Sequence, residues 1–250
     1  MDSNYNPFSL KGKTILITGA SSGIGQETAV QCSKLGAQLV VTGRNEKRLN
    51  DTLSNLEGTG HQSIIADLTD QAGIESIVGA VNALDGVVLC AGRGMTSPFA
   101  FNAPDKYDDI FKVNFFSPVE LLRQLLKKKK IQKNASVVFV SSIGGVFTYS
   151  IGNSVYGASK AAISSTMKFC ARELAPKGIR VNSVNPGMVN TPLIGGGSIS
   201  EEQYKADIEK YPLKRYGEPI DIANGIIYLL SDASSWVTGH SLVIDGGISI

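Results

Sequence analysis

The sequence contains few of the side chains that bind metal ions or form disulfide bonds. Only three cysteines, at positions 32, 90 and 170, and two histidines occur in 250 residues. Their spacing does not match a set of metal ligands, so we expect no catalytic metal site. An odd number of cysteines in apolar or helical surroundings indicates buried, reduced thiols and therefore a cytoplasmic protein.

The chain also lacks an excess of one charge and any long apolar run. Its 24 Lys and Arg residues nearly balance 22 Asp and Glu residues, which indicates neither nucleic acid nor a membrane surface as a partner. No stretch of about 18 apolar residues is present, and the polar start of the chain has none of the features of a signal peptide. Because the composition is uniform, we expect an N-terminal arm over residues 1–10 and a single domain over residues 11–250.

What the sequence does contain is a regular alternation of apolar strands and helices. The predicted strands are residues 14–18, 38–42, 63–66, 86–90, 136–140, 179–184 and 241–245. Apolar strands of this kind are buried on both faces, as in a parallel sheet. The pattern predicts an α/β fold of the Rossmann type, with a doubly wound, seven-stranded parallel sheet and helices on both faces. A Gly-rich and then charged stretch at about residues 190–213 predicts a substrate lid with a short helix from Ser200.

A glycine-rich turn follows the first strand, and in doubly wound sheets ligands bind at the carboxyl ends of the strands. Gly19, Gly23 and Gly25 let the backbone approach a pyrophosphate, and the helix that they open can bind it through free N–H groups. We therefore predict that a dinucleotide binds at this turn. The residues concerned are Gly19, Ser21, Ser22, Gly23, Ile24 and Gly25.

The end of the second strand distinguishes between the two nicotinamide cofactors. An acidic residue there would bind the adenosine ribose and repel a 2′-phosphate, but this chain has Gly43 followed by Arg44. Because a guanidinium binds phosphate through two hydrogen bonds, we predict that NADP(H) is preferred over NAD(H). The alternative is that Arg44 is a solvated loop residue or stacks on adenine.

Tyr156 and Lys160 are four residues apart on a predicted helix and so share one face. A fixed ammonium near a phenol favours the ionised phenol, so we expect Lys160 to lower the Tyr156 pKa from about 10. Tyr156 would then exchange a proton with a substrate oxygen. Ser142 lies at the end of a predicted strand just upstream. For the pair taken alone, a helix with an exposed lysine is the alternative.

These residues and several others together resemble the short-chain dehydrogenase/reductase family. The shared motifs are Thr18 to Gly25, Asn114, Ser142, Tyr156 with Lys160, Pro186-Gly187 with Thr191, and Val237-Thr238-Gly239 with Asp245-Gly246-Gly247. The resemblance extends from about residue 10 to the end of the chain and implies the strand order 3-2-1-4-5-6-7. Within the family the chain is most similar to the 3-oxoacyl-[acyl-carrier-protein] reductases, partly through Arg215, Gly217 and Pro219, which many sugar and alcohol dehydrogenases also have.

The resemblance implies a role for each site residue. Tyr156 is the general acid in reduction and the base in oxidation, Lys160 lowers its pKa and holds the nicotinamide ribose, and Ser142 binds the substrate oxygen. Asn114 holds a water in a proton relay towards Lys160; alternatively, it only marks a helix kink before Pro118. Tyr156 contacts the cofactor as well, and the other implied cofactor contacts are Asp67, Leu68, Ala91, Gly92, Pro186, Gly187, Val189 and Thr191.

The chain departs from the family pattern at two places. After the fourth strand the family has Asn-Asn-Ala-Gly, whereas this chain has Leu89-Cys90-Ala91-Gly92. The missing amides predict weaker bracing of the sheet and the cofactor edge. Ser142 and Tyr156 are 14 residues apart, one more than the commonest family spacing. Because the intervening loop lines the substrate cleft in relatives, we expect an altered substrate pocket.

The resemblance implies an NADP(H)-dependent oxidoreductase that interconverts a carbonyl and a secondary alcohol, with 3-oxoacyl thioester reduction as the expected reaction. An acidic acyl carrier protein would dock on Lys127 to Lys130 and Lys177, unless the lysine run is only a solvated helix end. The alternatives are a sugar, polyol or small-alcohol dehydrogenase, and a dinucleotide-binding module without turnover. Relatives are mostly homotetramers that pair the two long helices, here about residues 105–130 and 154–175, so we expect a homotetramer.

Overall fold

The computed structural model describes residues 6–192 and 201–250, and its seven parallel strands form one sheet in the predicted order 3-2-1-4-5-6-7. The strands are β1 (Thr14–Thr18), β2 (Gln38–Gly43), β3 (Gln62–Ile65), β4 (Leu84–Leu89), β5 (Ile131–Val140), β6 (Arg180–Pro186) and β7 (Ser241–Ile244). The helices are α1 (Gly23–Lys34), α2 (Glu46–Ser54), α3 (Gln71–Ala80), α4 (Pro104–Phe111), α5 (Ser117–Lys127), α6 (Ser154–Leu174), α7 (Glu201–Ile208) and α8 (Pro219–Leu230). Within the described ranges, no helix has both the length and the apolar character needed to span a membrane.

Helices cover both faces of the sheet because successive strand residues point to opposite sides. Ile15 and Ile17 of β1 pack into one apolar layer, with α1, α2 and α8, whereas Leu16 packs into the other, with α3, α5 and α6. All three side chains are fully buried, and each contributes about 1.5–3 kcal/mol to folding. With both faces covered, the carboxyl ends of the strands meet at one open edge, where ligands bind in such folds.

Two elements differ from those predicted. β5 begins at Ile131, which pairs with Leu84; a register shift follows before the apolar part of β5 pairs with the rest of β4. An apolar pattern identifies only the second part. The long helix predicted after Pro104 is interrupted by a π-helical turn at Lys112–Phe116, upstream of Pro118, where the sequence predicts the bend.

The segment predicted as a lid lies only partly within the described residues. α7 agrees with the short helix predicted there, whereas residues 193–200 are outside the described part of the chain. Tyr216 packs edge to face against Tyr204 and Tyr211, and its hydroxyl donates a hydrogen bond to Asp207 at 2.6 Å. α7 is therefore attached to the segment that follows it.

Candidate active site

Ser142, Tyr156 and Lys160 lie together at the carboxyl end of β5. The strand ends at Val140, so Ser142 lies just beyond the sheet, and α6 begins at Ser154, so Tyr156 and Lys160 occupy its first two turns. The Nζ of Lys160 lies 5.8 Å from the centre of the Tyr156 ring. The predicted pairing of these two side chains on one helix face is confirmed.

Groups at the end of β5 hold Lys160 in position. Its buried ammonium donates a hydrogen bond to the Val140 carbonyl oxygen at 2.9 Å. The Ser141 hydroxyl donates to the backbone carbonyl of Lys160 at 3.0 Å and pairs with the Ser164 hydroxyl at 2.8 Å. Sequence reasoning did not identify Ser141 or Ser164 in this role, because the only local signal is that Ser141 precedes Ser142 at the strand end.

The electrostatics of the pair differ from the prediction. Loss of water around the Tyr156 phenol raises its pKa, the hydrogen bond with Ser142 opposes this, and the nearby Cys90 adds to it. Burial lowers the pKa of Lys160 to about 8, with Cys90 acting in the opposite direction. The predicted net lowering of the Tyr156 pKa is wrong for this arrangement, because desolvation outweighs the effect that lowers it. Tyr156 therefore keeps its proton at neutral pH.

Asn114 is buried in the π-helical turn. Its Oδ1 accepts a hydrogen bond from the Arg93 N–H at 2.8 Å, and its Nδ2 donates to the Arg93 carbonyl at 3.0 Å and to Ser159 at 3.1 Å. Asn114 thus joins the segment after β4 to α6. It lies at the helix irregularity, as one alternative predicted, and π-turns are frequent at functional sites; the water relay stays a prediction.

The glycine turn after β1 approaches two other predicted cofactor segments. A Cβ on Gly19, whose φ is +68°, would lie 2.8 Å from the Ala91 Cα, and a Cβ on Gly23 would lie 3.1 Å from Thr191. Ser22, at the N-cap of α1, makes no side-chain capping bond and so does not compete for the first-turn N–H groups. The turn therefore has the tight backbone and the helix N-terminus that a dinucleotide pyrophosphate requires.

The Arg44 guanidinium and the Ser21 hydroxyl both lie near the end of β2. Arg44 forms an ion pair with Asp67, which lies beyond β3, with 3.6 Å between Nη1 and Oδ2. Burial acts to raise the pKa of Asp67, but hydrogen bonds from Thr69 and the charge of Arg44 outweigh it and lower the pKa. Ser21 lies beside the end of β2, since a Cβ on Gly43 would be 3.1 Å from its Oγ. These groups lie where the sequence predicts the adenosine end of the cofactor.

Three predicted residues lie at the carboxyl end of β6. Pro186 is the last residue of that strand, and Gly187 packs so closely on the segment after β7 that a Cβ would lie 3.0 Å from the Asp245 Cα. Val189 forms an isolated β-bridge with Gly217. The segment after β6 is thus fixed by two chain segments that are distant in sequence.

The other predicted cofactor residues divide into two groups. Ile24 and Leu68 pack against the apolar layers, and their cofactor contacts stay predictions. Gly25 packs directly on the backbone of the glycine turn, and a Cβ on Gly92 would lie 3.4 Å from the Nζ of Lys160. Gly25 thus adjoins the glycine turn, and Gly92 adjoins the catalytic lysine.

Thr18 braces the segment in which the family's two Asn residues are absent. Its buried hydroxyl accepts hydrogen bonds from the N–H groups of Cys90 at 3.0 Å and Ala91 at 3.1 Å. The backbone beside the cofactor edge is therefore held from β1, which offsets the weaker bracing predicted from the sequence. Burial raises the pKa of the Cys90 thiol to about 11, so the thiol is neutral.

The predicted docking lysines lie at the opposite end of β5 from the catalytic residues. Lys127 ends α5, and the turn into β5 follows, where Lys130 donates to the Val81 carbonyl at 2.7 Å. Ser142 lies beyond the far end of the strand, which extends about 20 Å alongside β4, because Ile131 pairs with Leu84 and Phe139 with Leu89. Within one copy of the chain, the lysine run therefore does not border the catalytic site.

Nearly the whole chain is similar to known oxidoreductases. A family model described as Enoyl-(Acyl carrier protein) reductase matches residues 19–249. A 3-oxoacyl-[acyl-carrier-protein] reductase of Rickettsia felis is 33% identical over 241 residues, which cover 96% of this chain and 98% of that protein. A glucose 1-dehydrogenase of Gluconobacter oxydans is 31% identical over 251 residues, which cover 96% of this chain and 92% of that protein.

The fold is shared with solved structures as well. The RhlG/NADP active-site complex of Pseudomonas aeruginosa superimposes with a TM-score of 0.91 at 28% identity, covering 98% of this chain and 100% of that one. The seven-stranded sheet, the glycine turn and the group formed by Ser142, Tyr156 and Lys160 accompany this similarity. The chain is therefore an oxidoreductase of the short-chain dehydrogenase/reductase family, which uses a nicotinamide dinucleotide.

Proposed function

We propose that the protein is an NADP(H)-dependent reductase that converts the ketone of a 3-oxoacyl thioester to a secondary alcohol. The observation that carries the proposal is the meeting of Ser142, Tyr156 and Lys160 at the strand edge that also holds the glycine turn. The substrate class is supported by a carrier-protein reductase that matches over 98% of its own length. We place the protein in the cytoplasm, where its three free cysteines stay reduced.

The preference for NADP(H) is proposed from Arg44. Its side chain is 70% exposed, and its partner Asp67 lies 3.6 Å away, so the guanidinium can bind a phosphate without leaving a buried charge unpaired. The Ser21 hydroxyl beside Gly43 offers a further hydrogen bond. The Pseudomonas aeruginosa structure of the same fold is an active-site complex with NADP, which supports the same choice.

Three side chains divide the work of the reduction. When bound, the nicotinamide supplies the hydride that reaches the carbonyl carbon. Tyr156, whose raised pKa keeps the phenol protonated, donates a proton to the carbonyl oxygen as negative charge develops there. Ser142, whose Oγ accepts a hydrogen bond from the Gly144 N–H at 3.0 Å, donates its own to the same oxygen. Lys160, with a pKa of about 8, is positively charged at neutral pH and stabilises the resulting phenolate.

A sugar, polyol or small-alcohol dehydrogenase is the second candidate, and the similarity to a glucose 1-dehydrogenase favours it. The same three side chains would then work in the oxidative direction, with Tyr156 as the base. Because a catalysed reaction follows the same path in both directions, these side chains suit either candidate, and the substrate distinguishes the two. A binding module without turnover is disfavoured, because it has no need of three catalytic side chains in contact.

Docking of an acyl carrier protein on the lysine run requires a second copy of the chain. The length of β5, about 20 Å alongside β4, separates the run from the catalytic residues of its own copy. We propose a homotetramer in which the helices around α5 and α6 pair between copies. Phe116 and Phe169, which are 58% and 67% exposed on these helices, would be covered by that pairing.

The test is NADPH oxidation, followed at 340 nm, with an acetoacetyl thioester, beside a panel of sugars and alcohols with NADP⁺. Turnover of the thioester supports the reductase. Turnover only of a sugar or alcohol identifies the second candidate. If NADPH binds but no compound of the panel is turned over, the protein is a dinucleotide-binding module without turnover. Tyr156→Phe serves as the control for contaminating reductases, since it deletes the proton donor.

A further inference from the structure

Two loops flank the catalytic side chains. The first loop, residues 90–103, follows β4, and a Cβ placed on its Gly92 would lie 3.4 Å from the Nζ of Lys160. The second loop, residues 143–153, joins β5 to α6, and one of its backbone N–H groups donates to Ser142 at 3.0 Å. Each loop thus adjoins one of the catalytic groups.

Polar groups of the first loop form hydrogen bonds with the second loop, with the start of α6 and within the first loop itself. The Ser97 N–H donates to the Gly152 carbonyl at 2.8 Å. The Asn102 amide donates to the Ser97 carbonyl at 3.2 Å and to the Ser154 hydroxyl at 3.0 Å, at the start of α6. Lys106 donates to a first-loop carbonyl at 2.7 Å and to the Ser97 hydroxyl at 3.2 Å. These donors are therefore occupied within the protein.

Large apolar side chains of the same loops are exposed to solvent. Phe99 and Phe101 of the first loop are 75% and 70% exposed, and Tyr149 and Ile151 of the second loop are 84% and 99% exposed. We call these four side chains the apolar rim. Single exposed apolar residues are ordinary on protein surfaces, but the Ser97–Gly152 hydrogen bond brings together the two loops that carry these four, beside a catalytic site. Clustered exposed apolar side chains are a feature of surfaces that bind ligands.

We propose that the apolar rim binds the hydrocarbon chain of the substrate, so that the enzyme prefers longer 3-oxoacyl chains to the four-carbon one. The inference rests on the proposed function and deepens it by defining the substrate class. The rim is continuous with the catalytic site through both loops, which favours the substrate itself as the occupant. A sugar in the same place would need several free hydrogen-bonding partners for its hydroxyls, whereas the donors of Ser97, Asn102 and Lys106 are already engaged. Among the buried side-chain atoms of the two loops, both of which lie within the described residues, the Asn102 Oδ1 alone lacks a partner.

The test is the dependence of kcat/KM on chain length, measured with 3-oxoacyl thioesters of four to ten carbons on one thiol. Each CH₂ group of the acyl chain that binds at the rim should raise kcat/KM about fourfold if it is fully removed from water, and about twofold if it is half removed. We therefore expect kcat/KM to rise about two- to fourfold for each added carbon. Ile151→Ser and Phe99→Ser should reduce this rise. Trp236→Ser is the matched control, because Trp236 is also 99% exposed but precedes β7, at the other end of the sheet.

The outcomes separate the two proposals. The rim proposal is overturned if the four-carbon thioester is turned over but kcat/KM does not depend on chain length. It is also overturned if both rim variants show the same chain-length dependence as the wild type. Either result leaves the proposed function standing. A third result is that a rim variant changes the molecular mass of the protein in solution and leaves the chain-length dependence of kcat/KM unchanged. That result would show that the rim contacts another copy of the chain, and it would also overturn the rim proposal. No turnover of any thioester by the wild-type protein would refute the proposed function, and the rim proposal with it.

Discussion

Replacing Tyr156 by Phe removes the proton donor while keeping the ring. Because the phenol is the group that protonates the substrate oxygen in the proposed reduction, we expect kcat to fall by about 10²- to 10⁴-fold, the usual contribution of a positioned acid. The Lys160 ammonium bonds to the Val140 carbonyl at 2.9 Å and not to the phenol, so its position is independent of the deleted hydroxyl. NADPH affinity should therefore change little.

The structural cost of Tyr156→Phe can be worked out from the contacts of the hydroxyl. The Tyr156 hydroxyl is hydrogen-bonded with Ser142, and the ring volume is kept, so no cavity forms. Loss of one such bond costs about 1 kcal/mol, which corresponds to a fall in Tm of about 2–4 °C for a domain of this size. Because this loss is much smaller than the expected loss of rate, unfolding does not account for the fall in kcat.

The assay compares kcat with an acetoacetyl thioester, the Kd of NADPH from fluorescence titration, and Tm. Tyr228→Phe is the control, because it makes the same chemical change on α8, in the apolar layer away from α6. A Tyr156→Phe variant that keeps more than a tenth of wild-type kcat would refute the assigned acid. A fall in kcat that accompanies an equal loss of NADPH binding would show that the hydroxyl acts on the cofactor instead.

Three further predictions concern charge. Arg44→Glu should lower the ratio of kcat/KM with NADPH to that with NADH by about tenfold to more than a hundredfold, the worth of a charge-assisted hydrogen bond; an unchanged ratio would place the 2′-phosphate elsewhere. Because the charged form of Lys160 is the active one and its pKa is lowered to about 8, kcat/KM should decrease as pH rises from 7 to 9, and a flat profile over that range would contradict this role. Charge reversal of both Lys128 and Lys129 should raise KM for a carrier-linked substrate more than KM for a small thioester, whereas equal effects would exclude docking on the lysine run.

Much of the fold follows from patterns that are local in the chain. The fully apolar segment of β1 indicates a parallel strand buried on both faces, and the glycines that follow it indicate where a phosphate binds. Because all carboxyl ends of parallel strands meet at one edge, Ser142 and the glycine turn could be placed together from sequence alone. Four-residue spacing likewise placed Tyr156 and Lys160 on one face of α6.

Other features depend on residues that are far apart in the chain, and only the tertiary structure decided them. The direction of the Tyr156 pKa shift is set by burial, which Ser142 after β5 opposes and Cys90 after β4 reinforces, so a local lysine is a poor guide to it. The hydroxyl of Thr18 reaches the backbone of Cys90 across two paired strands. The lysine run and Ser142 are close in sequence but lie at opposite ends of β5. Sequence periodicity thus determined which elements form and where their ends point, whereas desolvation and contacts between strands decided what the side chains at those ends can do.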